Sequence, residues 1–211
     1  MNDSIAAYDK AIKLAEQVNA RDRQMAQYRG NRSLAKSMLG DWTPVENDQR
    51  RLLYQDAITD ALKATELDPT YDSAWGAVGQ ARERLADLLN GVPARTVFPE
   101  AVTAYRKQLE VRPTFAQGST DLGRCLIRWA MDENNDPIKL DQGRDELNKA
   151  IKLDENLGEA YYWLGRYYQL KNDTVRANES FQRASKAIDA AVPQAPLVQK
   201  LALLKLKSGI K

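Results

Sequence analysis

Apolar and small residues recur along this chain with the spacing of α-helices. One run places apolar side chains three, four or seven residues apart, at Trp75, Val78, Leu85 and Leu89. Another run has the same kind of spacing, at Ala177, Phe181, Ala184 and Ile188. These intervals put the side chains on one face of a helix, and no stretch shows the sustained apolar–polar alternation of a strand. The pattern therefore predicts an all-α protein.

The helical pattern is also repeated along the chain. A glycine closes three closely related segments: Trp75-x-x-Val78-Gly79, Ser119-x-x-Leu122-Gly123 and Tyr161-x-x-Leu164-Gly165. Each glycine lies 15 residues after a small or polar residue, namely Ala64, Gln108 and Ala150. A fixed local pattern that recurs in one chain is typical of a repeat architecture, in which each unit packs only on its neighbours.

The repeated motif resembles that of the tetratricopeptide repeat family. The family pattern is Trp-x2-Leu-Gly-x2-Tyr in the first helix of each unit and Ala-x3-Phe-x2-Ala in the second, followed by Pro. The best matches are Tyr161-x2-Leu164-Gly165-x2-Tyr168 and Ala177-x3-Phe181-x2-Ala184, with Ala57-x3-Ala61-x2-Ala64 before Pro69 and a looser Ala101-x3-Tyr105-x2-Gln108 before Pro113. The resemblance implies a right-handed α-solenoid of stacked antiparallel helix pairs.

The resemblance covers most of the chain unevenly. The clear repeats run from about 55 to 189, whereas 1–54 reads as a drifted N-terminal repeat. A capping helix is expected at 196–208. We therefore predict one helical repeat domain that spans residues 1–211.

The repeats are longer than the 34 residues of a plain tetratricopeptide unit. The three glycines named above are 44 and 42 residues apart. The extra residues follow the first two of these glycines, where Asn90-Gly91, Pro93 and the run from Asp132 to Pro137 are rich in turn formers. We expect two enlarged loops inside the repeats, at 88–98 and 132–137, with the stacking surfaces intact.

In the tetratricopeptide family, the first helices of successive repeats line a concave groove that binds peptides or partner helices. The resemblance implies groove positions in each of three repeats. By register these are Gln80, Glu83 and Arg84, then Gln117, Thr120, Arg124 and Arg128, and finally Glu159, Tyr162, Arg166 and Gln169.

Three of these groove arginines suggest a ligand chemistry. Arg124 and Arg128 lie four residues apart and share one helix face, while Arg166 has the register position of Arg124 in the next unit. A guanidinium can make two hydrogen bonds to one carboxylate, so an acidic ligand is one interpretation. Salt bridges to Glu159, Asp121 and their neighbours are the other, and the sequence leaves both open.

Composition disfavours catalysis. The chain contains no histidine, which removes Ser-His and Cys-His nucleophile pairs and the usual general base near neutral pH. The acidic run from Asp132 to Asp136 lacks the spacing of a calcium loop and is predicted to form a turn. Cys125, the single cysteine, is expected to be buried in the core. We therefore expect no enzyme activity, no cofactor and no metal site.

The charge balance and the hydropathy pattern bear on partners and location. The net charge is +2, from 31 basic and 29 acidic residues, which disfavours a nucleic-acid ligand because such proteins usually carry a basic stripe. No apolar stretch approaches the roughly 18 residues that span a bilayer, and the N-terminus lacks a signal pattern. We expect a cytoplasmic protein without a membrane span.

The segment from Leu197 to Lys211 combines leucines and lysines and contains no acidic residue. A solenoid needs a terminal helix to cover its last apolar face, and this is the main prediction for the segment. A basic amphipathic helix can also lie on a membrane surface. The leucines would further allow a homodimer through the same surface.

Together these patterns predict a protein–protein interaction scaffold that binds a peptide or partner protein in its groove, without catalysis. The alternative is that the chain is the tetratricopeptide region of a larger membrane-associated assembly for secretion, transport or polysaccharide biosynthesis. The fold itself does not identify the partner.

Overall fold

The computed structural model of this chain describes residues 2–89, 92–193, 195 and 197–210. The regular structure in these residues consists of ten α-helices, with no strand among them. The chain divides into two compact units, which we call unit 1 (Met1–Pro113) and unit 2 (Thr114–Lys211). The all-α prediction is confirmed, and the single domain over 1–211 stays a prediction.

Unit 1 contains one preceding helix and two helix pairs. Its helices are α1 (Asn2–Gln17), α2 (Asp22–Trp42), α3 (Asn47–Leu67), α4 (Asp72–Leu89) and α5 (Val92–Val111). Helix α2 packs against α3 and helix α4 packs against α5, while the first helices of the two pairs, α2 and α4, also contact each other. The drifted repeat predicted at 1–54 thus comprises α1, α2 and the start of α3.

Unit 2 has the same organisation, with two helix pairs and a terminal helix. Its helices are α6 (Ala116–Asp132), α7 (Pro137–Leu153), α8 (Gly158–Leu170), α9 (Thr174–Ala191) and α10 (Leu197–Ser208). Helix α6 pairs with α7 and helix α8 with α9, and the first helices α6 and α8 contact each other. Helix α10 packs on α8 and α9, where the sequence predicted a capping helix.

Glycines let the helices of a pair approach closely. A Cβ atom added at Gly79 would lie 2.6 Å from the ring of Tyr105, and one at Gly165 would lie 2.6 Å from the ring of Phe181. Both rings belong to the second helix of their pair and are buried. In these two pairs, the motif glycine of the first helix therefore packs against the motif aromatic ring of the second helix.

The enlarged loop expected at 88–98 is wrong, because the described residues of that range are helical, whereas a loop is present at 132–137 but is short. Residues 92–98 belong to α5, and only four residues separate Asp132 at the end of α6 from Pro137 at the start of α7. The extra residues lengthen the helices instead, so that α4 and α5 have 18 and 20 residues while α8 has 13. Asn90 and Gly91, which motivated the first loop, lie outside the described residues. Pro93 misled the prediction because proline is tolerated in the first turn of a helix.

The turn predicted at Asp132–Asp136 is confirmed. Asn134 and Asn135 have positive φ angles of 57° and 64°, a conformation that Asn tolerates better than most residues. The Asp136 carboxylate accepts hydrogen bonds from the backbone N–H groups of Ile138 and Lys139 and so caps α7. These hydrogen bonds, first of all the one from Lys139, hold the pKa of Asp136 below its usual value.

Unit 1 contains a buried carboxylate that the sequence analysis missed. Asp60 of α3 is 4% exposed and faces three cations of α2. The Nε atom of Arg32 donates to it over 2.8 Å, and the Nζ atom of Lys36 lies 2.9 Å from it, with Arg29 at 3.9 Å. Burial lowers the pKa of Arg32, but its hydrogen bonds to Asp60 and Asp9 outweigh that effect and raise it. This cluster ties α2 to α3.

The terminal helix is held by a few contacts. Lys207 forms an ion pair with Asp189 of α9, and Gly209 lies beside the Tyr162 hydroxyl of α8. The side chains of 197–202, on which the predicted homodimer and membrane surface partly depend, lie outside the described residues, as does residue 196. The homodimer stays a prediction.

Candidate functional site

The predicted groove residues of unit 1 are engaged within the unit. The Arg84 guanidinium lies 2.7 Å from Asp41 of α2 and 3.5 Å from the Gln80 side chain one turn earlier. Asp41 also accepts a hydrogen bond of 2.8 Å from the Tyr54 hydroxyl of α3. Burial, followed by this hydrogen bond, raises the pKa of Tyr54. Gln80 and Arg84 are half-buried parts of a polar contact between α2, α3 and α4.

Glu83 does not lie at the surface, so this groove assignment was wrong. Its side chain is 2% exposed and accepts a hydrogen bond of 2.9 Å from the Tyr105 hydroxyl. The cause is Gly79, one turn earlier on α4, which leaves room for the Tyr105 ring. The ring lies against that glycine, and its hydroxyl reaches Glu83 on the next turn of the helix.

In unit 2, the assignment of Thr120 to the groove surface was also wrong. Its side chain has no exposed surface, and its hydroxyl donates to the carbonyl of Ala116 one turn earlier. The residue is small enough to pack inside, and its one donor is satisfied by its own helix. The prediction that Cys125 is buried on the same helix is confirmed.

A polar network crosses from α6 to α8 in unit 2. The Arg124 guanidinium donates to Asp121, 2.8 Å away on its own helix, and to Glu159, 2.5 Å away on α8. Gln117 donates to the same two carboxylates over 3.2 and 3.1 Å. Asp121 is almost fully buried, whereas Glu159 is partly exposed. Arg124 therefore forms salt bridges within the chain, which was one of the two interpretations that the sequence left open.

The remaining predicted residues on α8 differ among themselves. Tyr162 is half-buried, with its ring centroid 5.8 Å from that of Phe181 and its hydroxyl beside Gly209. Gln169 is exposed. Arg166 is partly buried, and its Nε atom is buried without a hydrogen-bond partner among the described residues. Arg128 of α6 is partly buried and has interactions of its own.

The tyrosines after Arg166 lie on the other side of α8. Tyr167 is the buried member of the pair, whereas Tyr168, the tyrosine of the motif, is only partly buried. Its hydroxyl donates to Asp141 of α7 over 2.7 Å and accepts from Arg144 over 3.2 Å. Burial, followed by the Asp141 contact, raises the pKa of Tyr167. These contacts fix α8 against α7 and leave the face with Tyr162, Arg166 and Gln169 apart from them.

The first-helix residues of unit 2 present guanidinium, amide, carboxylate and phenol groups. In the described part of the chain, no cluster of three or more His, Cys, Asp or Glu side chains could hold a metal ion. None of the described helices is long and apolar enough to cross a bilayer. The site is a surface of hydrogen-bonding groups on packed helices.

Comparison with solved structures finds similar folds. A crystal structure of MamA matches 90% of this chain and 89% of its own, with a TM-score of 0.54 and 18% identity. A MamA fragment from Desulfovibrio magneticus RS-1 matches 89% of this chain and 97% of its own, with a TM-score of 0.57 and 16% identity. A thermophilic tetratricopeptide protein of Thermus thermophilus matches 96% of this chain and 98% of its own, with a TM-score of 0.52 and 13% identity.

These matches confirm the tetratricopeptide-like fold that the motifs predicted. At identities of 13% to 18% they concern the fold alone. No family profile and no curated protein sequence matches the chain.

Proposed function

We propose that this chain is a non-catalytic scaffold that binds a protein or peptide partner on the first helices of its helix pairs. In unit 2 this surface is formed by α6 and α8, at Gln117, Arg124, Arg128, Glu159, Tyr162, Arg166 and Gln169. Gln80 and Arg84 offer a smaller surface of the same kind in unit 1. The partner is expected to carry acidic groups.

The observation that carries the proposal is the network of Gln117, Asp121, Arg124 and Glu159. It holds polar side chains of two neighbouring first helices in one arrangement. Binding costs less when the contacting groups are already ordered, because less side-chain entropy is lost. Aromatic and arginine side chains such as Tyr162 and Arg166 are also the types that contribute most at interfaces.

A steric block tests which face of unit 2 binds. The chain offers a clean labelling background because its one cysteine, Cys125, has no exposed surface. In the variant Gln169→Cys, whose substituted position is exposed on α8, the new thiol would be coupled to a maleimide–polyethylene glycol chain. The matched control carries the same polymer at Gln182, exposed on the second helix α9. Partner proteins would be captured from an extract of the source cells and quantified.

We expect the polymer at position 169 to lower capture of specific partners about tenfold or more, equivalent to about 1.4 kcal/mol of binding free energy. The polymer at position 182 should leave the same partners bound. Equal capture by both labelled variants would contradict the proposed face. The wider role in a membrane-associated assembly stays a prediction.

A further inference from the structure

Second helices in this fold pack on two neighbours. Helix α3 contacts α2 and α4, helix α7 contacts α6 and α8, and helix α9 contacts α8 and the terminal helix α10. One neighbour is the first helix of the same pair, and the other is the helix that follows the pair. A second helix of this kind therefore has two faces to cover, and each face is covered by a helix.

Helix α1 has the character of a second helix that lacks the first helix of its pair. Its segment Ser4-x3-Tyr8-x2-Ala11 follows the second-helix pattern. Ile12 and Ala15 pack against the following helix α2, in one cluster with Met25. In the part of the chain that the structure describes, α2 is the only helix that α1 contacts. The place of a first helix beside α1 is therefore empty in that part of the chain.

The uncovered side of α1 is apolar. Leu14 is 51% exposed, and Val18, whose N–H group bonds to the Leu14 carbonyl, is 74% exposed. Ala7 is exposed as well, and the intervals of seven and four residues place the three on one stripe. Single exposed apolar side chains are common, but a stripe of them indicates a contact surface. We call Ala7, Leu14 and Val18 the open face of α1.

Helix α10 is the converse case, a first helix that lacks its second helix. It packs on α8 and α9, as α4 packs on α2 and α3, and as α8 packs on α6 and α7. No further helix pairs with α10 among the described residues. Leu203 and Leu206 are partly buried, whereas Leu204 is 45% exposed and is followed by the exposed Lys205. Part of the apolar surface of α10 is therefore uncovered.

Charge distinguishes the contacts that these two helices could make with another copy of the chain. Residues 197–211 contain four lysines and no acidic residue, so two α10 helices would repel each other. Helix α1 contains three acidic and two basic residues, and its Asp9 and Glu16 are exposed. A contact between α10 and α1 therefore joins segments of opposite net charge, and it also joins a first helix to a second helix.

We infer that copies of this chain associate head to tail, with α10 of one copy packed on the open face of α1 of the next copy. Helix α10 then takes the place of the missing first helix, and α1 takes the place of the missing second helix. The contact joins two different surfaces, so a pair of copies still has one α1 and one α10 with which to bind further copies. The inference goes beyond the proposed function and uses none of the residues of the proposed binding face.

Two substitutions test the two sides of the contact separately. Leu14→Lys places a charge on the open face of α1, and Leu204→Lys places one on the uncovered part of α10. Both positions are exposed, so the fold should be kept, which circular dichroism verifies. Val175→Lys is the matched control, because Val175 is an exposed apolar residue of α9 outside the contact. Sedimentation equilibrium measures the mass from about 1 μM to about 1 mM protein.

We expect the mass of the native chain to rise with concentration above that of one copy. Each lysine variant of the contact should associate at least about tenfold more weakly, because the contact would bury its charge. Val175→Lys should behave like the native chain. A mixture of Leu14→Lys and Leu204→Lys should form a complex of two chains and no larger one, because the first variant keeps α10 intact and the second keeps α1 intact.

A native chain that keeps the mass of one copy at every concentration would overturn the inference and leave the open face to a different protein. Association that survives either single substitution would also overturn it, because a contact between two α1 helices or between two α10 helices needs only one of the two surfaces. The mixture gives the third criterion. If the two variants together remain single chains, the two surfaces do not bind each other.

Discussion

Replacement of Tyr105 by Ala is expected to lower the free energy of unfolding of unit 1 by about 3–5 kcal/mol. The side chain has no exposed surface, and its ring fills the space over Gly79 between α4 and α5. Its loss leaves a cavity that glycine cannot fill. The hydroxyl that donates to the buried Glu83 is lost as well. Urea denaturation, with hydrogen exchange to locate the effect in α4 and α5, measures the change.

Tyr105→Phe separates the ring from the hydroxyl. It keeps the packing over Gly79 and removes the donor to Glu83, so we expect a smaller loss of about 1–3 kcal/mol. A loss below about 1 kcal/mol for Tyr105→Ala would mean that the glycine–aromatic contact does not hold this helix pair together.

Asp60→Ala is the second substitution with a large expected effect, also about 3–5 kcal/mol of unfolding free energy. Asp60 is buried and neutralises the facing cations of α2, with Arg32 and Lys36 in direct contact. Removal of the carboxylate leaves partly buried positive charges close together, with only exposed carboxylates such as Asp9 and Asp56 near them. The unfolding free energy from urea denaturation at neutral pH measures this cost.

Asp56→Ala is the matched control. Asp56 lies one turn earlier on α3 and also approaches Lys36, at 3.9 Å, but its side chain is 68% exposed. Exposed ion pairs contribute little, so we expect a change within about 1 kcal/mol. Similar losses for Asp56→Ala and Asp60→Ala would show that burial does not set the strength of the cluster.

Much of the fold could be predicted from the sequence because local rules and packing agree. The Gly79 and Gly165 motifs and the second-helix pattern around Phe181 are read at fixed intervals, and each corresponds to a contact in the structure. Helix boundaries near proline were less predictable. Pro93 was taken as a loop signal, although a proline in the first turn of a helix gives up no hydrogen bond.

Side-chain burial was harder to predict than helix position. Trp75 has a core position in the motif, yet it is only half-buried, and its indole N–H donates to the carbonyl of Pro69. Asp60 was missed because one acidic residue in a helix gives no signal by itself. Two sequence features together could have indicated the cluster. Asp60 directly precedes Ala61 of the Ala57-x3-Ala61-x2-Ala64 pattern, and Arg29, Arg32 and Lys36 share one face of α2.

The candidate site illustrates what register can and cannot predict. Register places Arg124 and Arg166 on first helices, and it does so equally for both. Their difference depends on which neighbours provide carboxylates, and that follows from the contact between α6 and α8. Thr120 and Glu83 show the same limit, because positions predicted at the surface are buried where glycine or a small side chain lets the neighbouring helix approach.

Site-specific photo-crosslinking tests most directly whether the first-helix face of unit 2 binds a partner. Benzophenone-maleimide would be coupled to a cysteine at Gln169 on α8 or at Gln182 on α9, with Cys125 buried and unlabelled in both variants. Crosslinked proteins from an extract of the source cells would be identified by mass spectrometry. We predict that a specific partner is crosslinked from position 169 and not from position 182. Crosslinks from position 182 alone, or equal yields from both positions, would contradict binding on the first-helix face.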